Sequence, residues 1–219
     1  MAFLFSSAKS QMVAPDAALP ARSLPLRNPR GSRGLGTPLR DLPETPWPAG
    51  LSVIYLGMGC FWGAEEIYWR LPGVYVTSVA IRVATRPPDL RRGVHGPHRP
   101  HRGGVHRLPR AEITTYDVLK HFWESHDPTQ GYRQGNDTGT QYRSAVYYTT
   151  DAQREMVERT SAAYAGVIAE RGYGDITTQI APAADWPYYF AEAYHQQYLY
   201  KVPNGYRCHA NTGLVLPAL

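Results

Sequence analysis

The chain has 219 residues, 43% hydrophobic and 19% charged, which is an ordinary composition for a globular domain with a buried core. Its 23 lysines and arginines outnumber its 18 acidic residues, so the formal charge is +5 and a nucleic-acid partner has to be weighed. No apolar run approaches the roughly 20 residues of a membrane-spanning helix, and the first residues make a poor signal peptide, so we expect a cytoplasmic protein.

Residues 1–50 are predicted to form an irregular, proline-rich N-terminal arm. They contain eight prolines, and their apolar residues follow neither the helical nor the strand period. Residues 51–219 are predicted to form one domain. Its only cysteines, Cys60 and Cys208, are too few for a disulfide framework, so any role they have is that of reactive thiols.

The first half of the domain is predicted to run strand, helix, strand. A β-branched apolar run closed by glycine predicts a strand at 51–57, and a helical pattern at 61–71 ends at a Pro-Gly pair. A second strand is predicted at 74–81. Arginine, histidine, proline and glycine then dominate residues 80–110, which lack lysine and aromatic residues, and an irregular loop is predicted there.

Five further elements are predicted in the second half: a helix at 114–123, a strand at 144–149, a helix at 151–170, a strand at 176–180 and a helix at 188–200. The first two of these helices are expected to begin at the caps Thr114 and Asp151. The tail, residues 203–219, is predicted to be mobile. This order of strands and helices predicts an α+β fold, a two-layer sandwich of a mixed or antiparallel sheet covered by helices.

The strongest chemical signal is Gly57-Met-Gly-Cys-Phe-Trp-Gly63, at a predicted turn from strand to helix. A cysteine at a helix N-terminus meets the positive end of the helix dipole, which favours the thiolate, so Cys60 is a candidate nucleophile. Phe61 and Trp62 are candidates for an apolar cage around a methyl group. The alternative, a structural cysteine buried with two core aromatic residues, stays open from the spacing alone.

This motif is accompanied by five others in a fixed order: His126-Asp-Pro-Thr-Gln130, Gln134-Gly-Asn-Asp-Thr-Gly-Thr-Gln-Tyr-Arg-Ser144, Ile176-Thr-Thr178, Ala191-Glu-Ala-Tyr-His-Gln-Gln-Tyr198 and Gly205-Tyr-Arg-Cys208. Together they resemble the A-type peptide methionine sulfoxide reductases from about residue 51 to the C-terminus, with one gap. The resemblance implies the ferredoxin-like plait of that family. It also implies an oxidoreductase that repairs oxidised methionine under oxidative stress.

The resemblance assigns roles to individual residues. Cys60 would attack the sulfur of methionine S-sulfoxide, free or in proteins, and the resulting sulfenic acid would be resolved by Cys208. Phe61 and Trp62 would hold the methyl group. The sulfoxide oxygen would be bound by Asp137 and Tyr142. The disulfide would be reduced by thioredoxin or another dithiol, without a cofactor or metal, and a monomer is expected.

Several alternatives remain beside these roles. Cys208 can be a lone exposed thiol, and the segment around Asp137 is a good turn sequence in its own right. His195, Gln196 and Gln197 are expected to support the fold by side-chain hydrogen bonds, with a catalytic His195 as the weaker alternative.

The resemblance is interrupted between Val79 and Pro109. The pocket tyrosine of the family would fall at Arg91 and its acidic glutamate at Gly103. Codons can nevertheless be chosen for Gly93 to Val105 that, read one nucleotide later, encode V-C-T-G-R-T-G-H-T-E-A-V, which is the family motif. Our hypothesis is that two compensating frameshifts, in the gene or in its sequencing, bracket this stretch.

Three other functions are weighed against the reductase. A catalytically impaired relative would bind oxidised methionine without turnover, because the glutamate and the pocket tyrosine are missing. A metal site could use the histidines of the altered stretch, His95, His98, His101 and His106, although it lacks acidic or thiol partners. A nucleic-acid binder could use its arginines, but the stretch has no aromatic residue for stacking on bases.

If the chain is made as written, we predict weak sulfoxide reduction, because losing a positioned general acid costs about a hundredfold to ten-thousandfold in rate. Gly103→Glu should then restore part of the rate of methionine release. Peptide mapping of residues 80–110 by mass spectrometry identifies which form is present, and a chain carrying the family motif should be fully active. Normal starting activity with no gain from Gly103→Glu would show that the acid is misplaced.

Overall fold

The computed structural model describes residues 51–82, 101–109, 113–186, 188–208 and 210–219. The predicted N-terminal arm, residues 1–50, lies outside the described residues, and so do Arg91, His95 and His98. Of His101 and His106 only the backbone is described. The prediction of a metal site at these histidines is therefore not addressed by the structure.

Six strands form one mixed sheet at the centre of the domain, and two short strands form a separate pair. In chain order the strands are β1 (Leu51–Met58), β2 (Val76–Arg82), β3 (His101–Pro109), β4 (Arg133–Gln134), β5 (Asp137–Thr138), β6 (Ser144–Tyr148), β7 (Gln179–Pro182) and β8 (Tyr188–Phe190). The large sheet has the order β7-β6-β1-β3-β2-β8, and β4 pairs with β5. Within the large sheet only β6 and β7 run parallel; the other neighbours are antiparallel.

Three helices pack with this sheet in one core: α1 (Phe61–Trp69), α2 (Thr115–Glu124) and α3 (Asp151–Glu170). Alternate side chains of β1, those of Ile54, Leu56 and Met58, belong to this core because a strand points every second residue to the same face. The predicted stripe of α2 is buried in full: Val118, Leu119, Phe122 and Trp123. The predicted α+β architecture is confirmed. None of the helices within the described residues is long and apolar enough to cross a membrane.

The two predicted helix caps have different outcomes. Thr114 caps α2 as predicted: its hydroxyl accepts from the Asp117 backbone N–H, and the Asp117 carboxylate accepts from the Thr114 backbone N–H. The prediction of Asp151 as the cap of α3 was wrong. Thr150 takes that position, with extended backbone and a hydroxyl that accepts from the backbone N–H of Gln153. Asp151 is the first residue of the helix, where its negative charge interacts favourably with the helix dipole.

The prediction of an irregular loop across residues 80–110 was wrong for residues 101–109. These residues form β3, which pairs with β1 on one side and β2 on the other and so lies in the middle of the sheet. Without β3, the facing edges of β1 and β2 would leave backbone N–H and C=O groups unpaired. Pairing with these groups outweighs the composition of residues 101–109, which is poor in strand formers.

The predicted helix at 188–200 was also wrong in most of its length. Tyr188–Phe190 forms β8, which pairs with the free edge of β2, and only α4 (Tyr198–Lys201) is helical. Between them Gln197 takes a left-handed backbone conformation, with φ of 50°, which no regular helix contains. Pairing with a sheet edge again overrides a local helical pattern.

The C-terminal tail is packed, where a mobile segment was predicted. Leu216 is 2% exposed and belongs to the main core. Its backbone N–H donates to the Glu124 carboxylate, and the hydroxyls of Tyr164 and Thr212 form a hydrogen bond. The tail is anchored because it covers the apolar surface between α2 and α3, which its few apolar residues did not reveal in the sequence.

Leu216→Ala should therefore destabilise the domain by about 2–4 kcal/mol, the usual cost of removing a buried leucine side chain. The neighbouring residue is the matched control: Val215 is 64% exposed, so Val215→Ala should change stability by less than about 0.5 kcal/mol. Urea unfolding followed by circular dichroism measures both. Equal small effects from the two substitutions would contradict the packed tail.

Candidate active site

Cys60 lies at the junction of β1 and α1. It is the N-cap residue of α1, and its carbonyl accepts from the backbone N–H of Ala64. Gly59 precedes it with φ of 87°, a backbone conformation that suits glycine and turns the chain sharply from strand to helix. The predicted turn is confirmed. Cys60 itself is 4% exposed, so it is buried at this turn.

Gln134 links Cys60 to Cys208. A Cβ atom on Gly59 would come within 2.5 Å of the Gln134 Cβ, so the Gln134 side chain packs directly on the turn that carries Cys60. The Gln134 carbonyl accepts from the thiol of Cys208, at 3.2 Å. The two cysteines, 148 positions apart in the numbering, thus flank the same loop residue.

Further contacts hold the tail beside α1. The Arg207 guanidinium makes a two-pronged ion pair with the Glu66 carboxylate, at 2.6 and 2.8 Å. A Cβ atom on Gly63 would lie 3.8 Å from the Cys208 carbonyl oxygen. Burial, followed by the charge of Asp137, raises the pKa of the Cys208 thiol, whereas a hydrogen bond with Tyr206 lowers it. Cys208 is thus held, as a thiol, over the first turn of α1.

Tyr206 connects Asp137 with both cysteines. Its phenol lies close enough to the side chains of Asp137, Cys208 and Cys60 for all three to raise its pKa. Burial, together with these negative neighbours, raises the pKa of Tyr206 to about 12, so the phenol keeps its proton at neutral pH. The second oxygen of Asp137, Oδ2, is buried and has no hydrogen-bond partner among the described residues. This oxygen is therefore a buried acceptor whose hydrogen-bonding capacity is unused.

An aromatic cluster lies beside Cys60. The indole N–H of Trp62 donates to Nδ1 of His195 at 3.0 Å, and Tyr198 stacks on Trp62 with ring centroids 4.1 Å apart. Phe61 contacts the His195 ring, with centroids 5.1 Å apart. Phe61 is 2% exposed, whereas Trp62 is half-buried. The rings of this cluster form an apolar wall. Within it the Trp62 indole N–H is paired with Nδ1 of His195.

Glu65 anchors the segment that carries His195 and Tyr198. Its buried carboxyl accepts from the backbone N–H of Gln197 at 2.7 Å and from the Thr77 hydroxyl at 3.3 Å. Burial raises the pKa of Glu65 to about 8, although the Gln197 N–H and the Thr77 hydroxyl lower it. The bond to Gln197 holds the left-handed backbone that turns Tyr198 towards Trp62.

Gln196 fixes the same segment from the other side. Its amide oxygen accepts from the backbone N–H of Val79, and its amide N–H₂ donates to the carbonyls of Val79 and Ala191. The predicted support of the fold by side-chain hydrogen bonds is thereby confirmed for Gln196, and also for His195, whose ring accepts from the Trp62 indole N–H. The bond of Gln197 to Glu65 is made by its backbone N–H, and not by its side chain as predicted.

The loop that carries Gln134 and Asp137 is braced by buried polar groups. His126 bonds to the Phe122 carbonyl at 2.6 Å and to the Ser144 hydroxyl at 2.7 Å, and burial lowers its pKa to about 4, so it is neutral. The side chain of Gln134 pairs with both backbone groups of Asp127. This network accounts for Gln134 and Ser144, the first and last residues of the motif.

The structure brings most of the predicted site residues together. Cys60, Phe61 and Trp62 are adjacent on α1, and Cys208 and Asp137 meet around Tyr206. Tyr142 is half-buried at the end of the 3-10 turn Thr140–Tyr142, which contacts β3. Its predicted bond to the sulfoxide oxygen stays a prediction.

The sequence analysis missed three residues of this site: Gln134, Tyr198 and Tyr206. Each lies inside a motif that was quoted for the resemblance, and that placement was the available signal. Their contacts could not be predicted, because each depends on residues far away in the chain, at least 69 positions from the residue concerned.

Gly103, where the acidic glutamate was expected, lies on the central strand beside the site. In β3 it pairs with Gly57 of β1 and Ala80 of β2. Gly57 is three positions before Cys60, so Gly103 is at the end of the sheet where Cys60 lies. Because successive strand residues point to opposite faces, Gly104→Glu is a matched control for Gly103→Glu.

The chain was compared with known proteins. The family model described as peptide methionine sulfoxide reductase matches residues 52–216. The peptide methionine sulfoxide reductase MsrA of Salinispora tropica is 47% identical over 95% of this chain and 94% of its own length. MsrA 1 of Caulobacter vibrioides is 45% identical over 94% of this chain and 93% of its own length. Among solved structures, methionine sulfoxide reductase A of Corynebacterium diphtheriae matches with a TM-score of 0.74 and 38% identity, covering 95% of this chain and 100% of its own.

Glu65 should make the stability of the domain depend on pH. Because its pKa is raised from the ordinary 4.5 to about 8, its contribution is fully present below pH 4.5 and is lost as the pH rises through 8. Between these values Glu65→Gln should flatten the fall in unfolding free energy, by up to about 1.4 kcal/mol per pH unit. Urea unfolding at a series of pH values measures this, with Glu158→Gln on the exposed face of α3 as the control. Parallel curves for all three proteins would contradict the assignment.

Proposed function

This chain belongs to the peptide methionine sulfoxide reductase family, and from that premise we propose that it reduces methionine sulfoxide to methionine with Cys60 as its nucleophile. The observation that carries the proposal is the position of Cys60: it caps α1 beneath an aromatic cluster, and Gln134 holds a second thiol beside it. A nucleophile, an apolar wall and a resolving thiol are three of the parts that the reaction needs, and a proton donor for the departing oxygen is the fourth.

The first step is attack by the Cys60 thiolate on the sulfoxide sulfur. The N-terminus of α1 favours the thiolate through the helix dipole and its unpaired backbone N–H groups. In this step the oxygen passes from the sulfur of methionine sulfoxide to the sulfur of Cys60. The substrate is reduced to methionine, and the Cys60 thiol is oxidised to a sulfenic acid. The departing oxygen needs a proton, because an oxide is far too basic to leave.

The walls of the site divide the substrate into two ends. Phe61 and Trp62 face the S-methyl group, and the Trp62 ring is fixed by Tyr198 and His195. Tyr142 donates its hydroxyl to the oxygen end, and Asp137 binds it through a shared proton or a bridging water, for which its unpartnered Oδ2 atom is the acceptor. Such a division orients the sulfur towards Cys60, and the choice of the S epimer is what the family resemblance implies.

The second step forms a disulfide. The Cys208 thiolate attacks the sulfenic sulfur of Cys60, the S–O bond breaks, and the oxygen leaves as water. Retention of Cys208 at Gln134 supports this role, since the thiol already lies beside the turn that carries Cys60. The alternative of a lone exposed thiol does not account for its anchored position.

A dithiol completes the cycle by thiol–disulfide exchange, which returns Cys60 and Cys208 to thiols. We assign this part to thioredoxin or a similar dithiol protein, and no other cofactor is required by the balance of atoms. The cytoplasm supplies such reductants, so we place the enzyme there. Its substrates are free methionine sulfoxide and oxidised proteins, whose repair is its cellular role.

A binding protein without turnover is the alternative. The comparisons favour the enzyme, because named reductases match nearly the whole chain at 45–47% identity. Within the described residues the nucleophile, the aromatic wall and the second thiol are all retained. The absence of a glutamate at position 103 lowers the rate of proton transfer and leaves the type of reaction unchanged.

Replacing each cysteine separates the two chemical steps. Cys60→Ser should abolish methionine release, because a hydroxyl cannot replace the thiolate. Cys208→Ser should release one equivalent of methionine per protein in a single turnover and then stop when thioredoxin is the reductant. Quenched samples analysed by chromatography measure both, and circular dichroism verifies folding. Unchanged reduction by Cys60→Ser would overturn the proposal, and steady thioredoxin-driven turnover by Cys208→Ser would overturn the role of Cys208.

A further inference from the structure

A second pocket opens next to the loop that carries Gln134. It has a volume of about 470 Å³ and is lined by Gly131, Tyr132, Arg143, Thr177, Gln179 and Trp186. We call it the Arg143 pocket. None of these lining residues is acidic, and two of them present aromatic rings. The chemistry described above for Cys60 uses none of them.

Arg143 carries a buried charge without a negative partner. The residue is 6% exposed, yet no carboxylate among the described residues forms an ion pair with it. Its three bonds go to neutral oxygens: Nε donates to Gln179, Nη1 to the Thr140 carbonyl and Nη2 to the Tyr147 hydroxyl. Because a buried charge is costly unless it is paired, an anion that enters this pocket is favoured.

The guanidinium also keeps donors for a ligand. It has five N–H bonds, of which these contacts use three, and one N–H remains on each Nη atom. Trp186 lies against the guanidinium, 5.5 Å from its central carbon to the ring centroid. Two Nη–H donors on a planar group fit the two oxygens of a carboxylate. The pocket thus has the charge and the hydrogen-bonding groups of a carboxylate site.

The pocket lies at the end of the sheet where Cys60 lies. Arg143 directly precedes Ser144, which pairs with Met58 at the end of β1, two positions before Cys60. Gln179 begins β7, the next strand beyond β6. With strands about 4.8 Å apart, two strand spacings separate β1 from β7 by about 10 Å. An extended peptide covers that distance in about three residues.

We propose that the Arg143 pocket is a subsite for a carboxylate carried by the polypeptide substrate, two to four residues from the methionine sulfoxide bound at Cys60. The proposal rests on the proposed function, because it needs an oxidised polypeptide in the active site. The carboxylate belongs to an acidic side chain or to the C-terminus of the substrate, since both present the same two oxygens. The enzyme then prefers oxidised methionines in acidic surroundings.

The test is a series of peptides that each contain one methionine S-sulfoxide. Glutamate is placed two, three or four residues before or after it, and every peptide is paired with the glutamine version. A further pair ends three residues after the sulfoxide, with a free or an amidated C-terminus, and separates the two carboxylate sources. With dithiothreitol as the reductant, kcat/KM should favour the carboxylate by about threefold to tenfold in at least one register, through KM, and 0.5 M salt should reduce the ratio.

A substitution in the pocket tests the assignment to Arg143. Gln179→Glu supplies a carboxylate next to Nε of Arg143, so the preference within each peptide pair should disappear or reverse. Arg159→Gln, on the exposed face of α3, changes the net charge equally and should keep the preference. Melting temperatures verify that both variants fold. Each ratio of kcat/KM compares a carboxylate peptide with its amide version on the same variant, so differences in overall activity cancel.

Two results would overturn the subsite: equal kcat/KM for carboxylate and amide peptides in every register, or a preference that survives in Gln179→Glu. Failure of the proposed function is distinct, because the wild-type chain would then reduce neither any peptide nor free methionine sulfoxide.

Discussion

The close packing of Gln134 on Gly59 is the contact on which the active site depends. A side chain at position 59 would collide with Gln134, and the left-handed backbone there suits glycine alone. This contact sets the turn that delivers Cys60 to the start of α1. The backbone carbonyl of Gln134 also accepts a hydrogen bond from the Cys208 thiol, and its side chain accepts one from the backbone N–H of Asp127. One residue therefore connects the proposed nucleophile Cys60, the second thiol and the braced loop.

A second arrangement fixes the aromatic wall. Trp62 is placed by α1, but its ring is held by His195 and Tyr198 from a segment more than 130 positions later. That segment has little regular structure of its own, and it is positioned by the side chains of Glu65 and Gln196. Burying polar groups to shape irregular backbone is favourable only when each group is paired, as these are. The site is thus built on hydrogen bonds as much as on apolar packing.

The sequence predicted those parts of the molecule that depend on neighbouring residues. The turn at Cys60, the capping box at Thr114 and the buried stripe of α2 follow from local pattern and were found. The strands β3 and β8 were not predicted, because pairing with β1 and β2 decides their conformation and their composition does not. Gln134, Tyr198 and Tyr206 were missed for the same reason. Their roles arise from contacts between segments that are distant in the chain.

The two-sided anchoring of the tail has a consequence for the oxidation cycle. Cys208 is clamped on one side by the pair of Arg207 with Glu66 and on the other by Leu216 in the core. In the proposed oxidation cycle, a thiol held in this way has a higher effective molarity towards Cys60 than a small thiol in solution, because it cannot diffuse away. Closure of the proposed disulfide then competes with over-oxidation of the sulfenic acid to the irreversible sulfinic state.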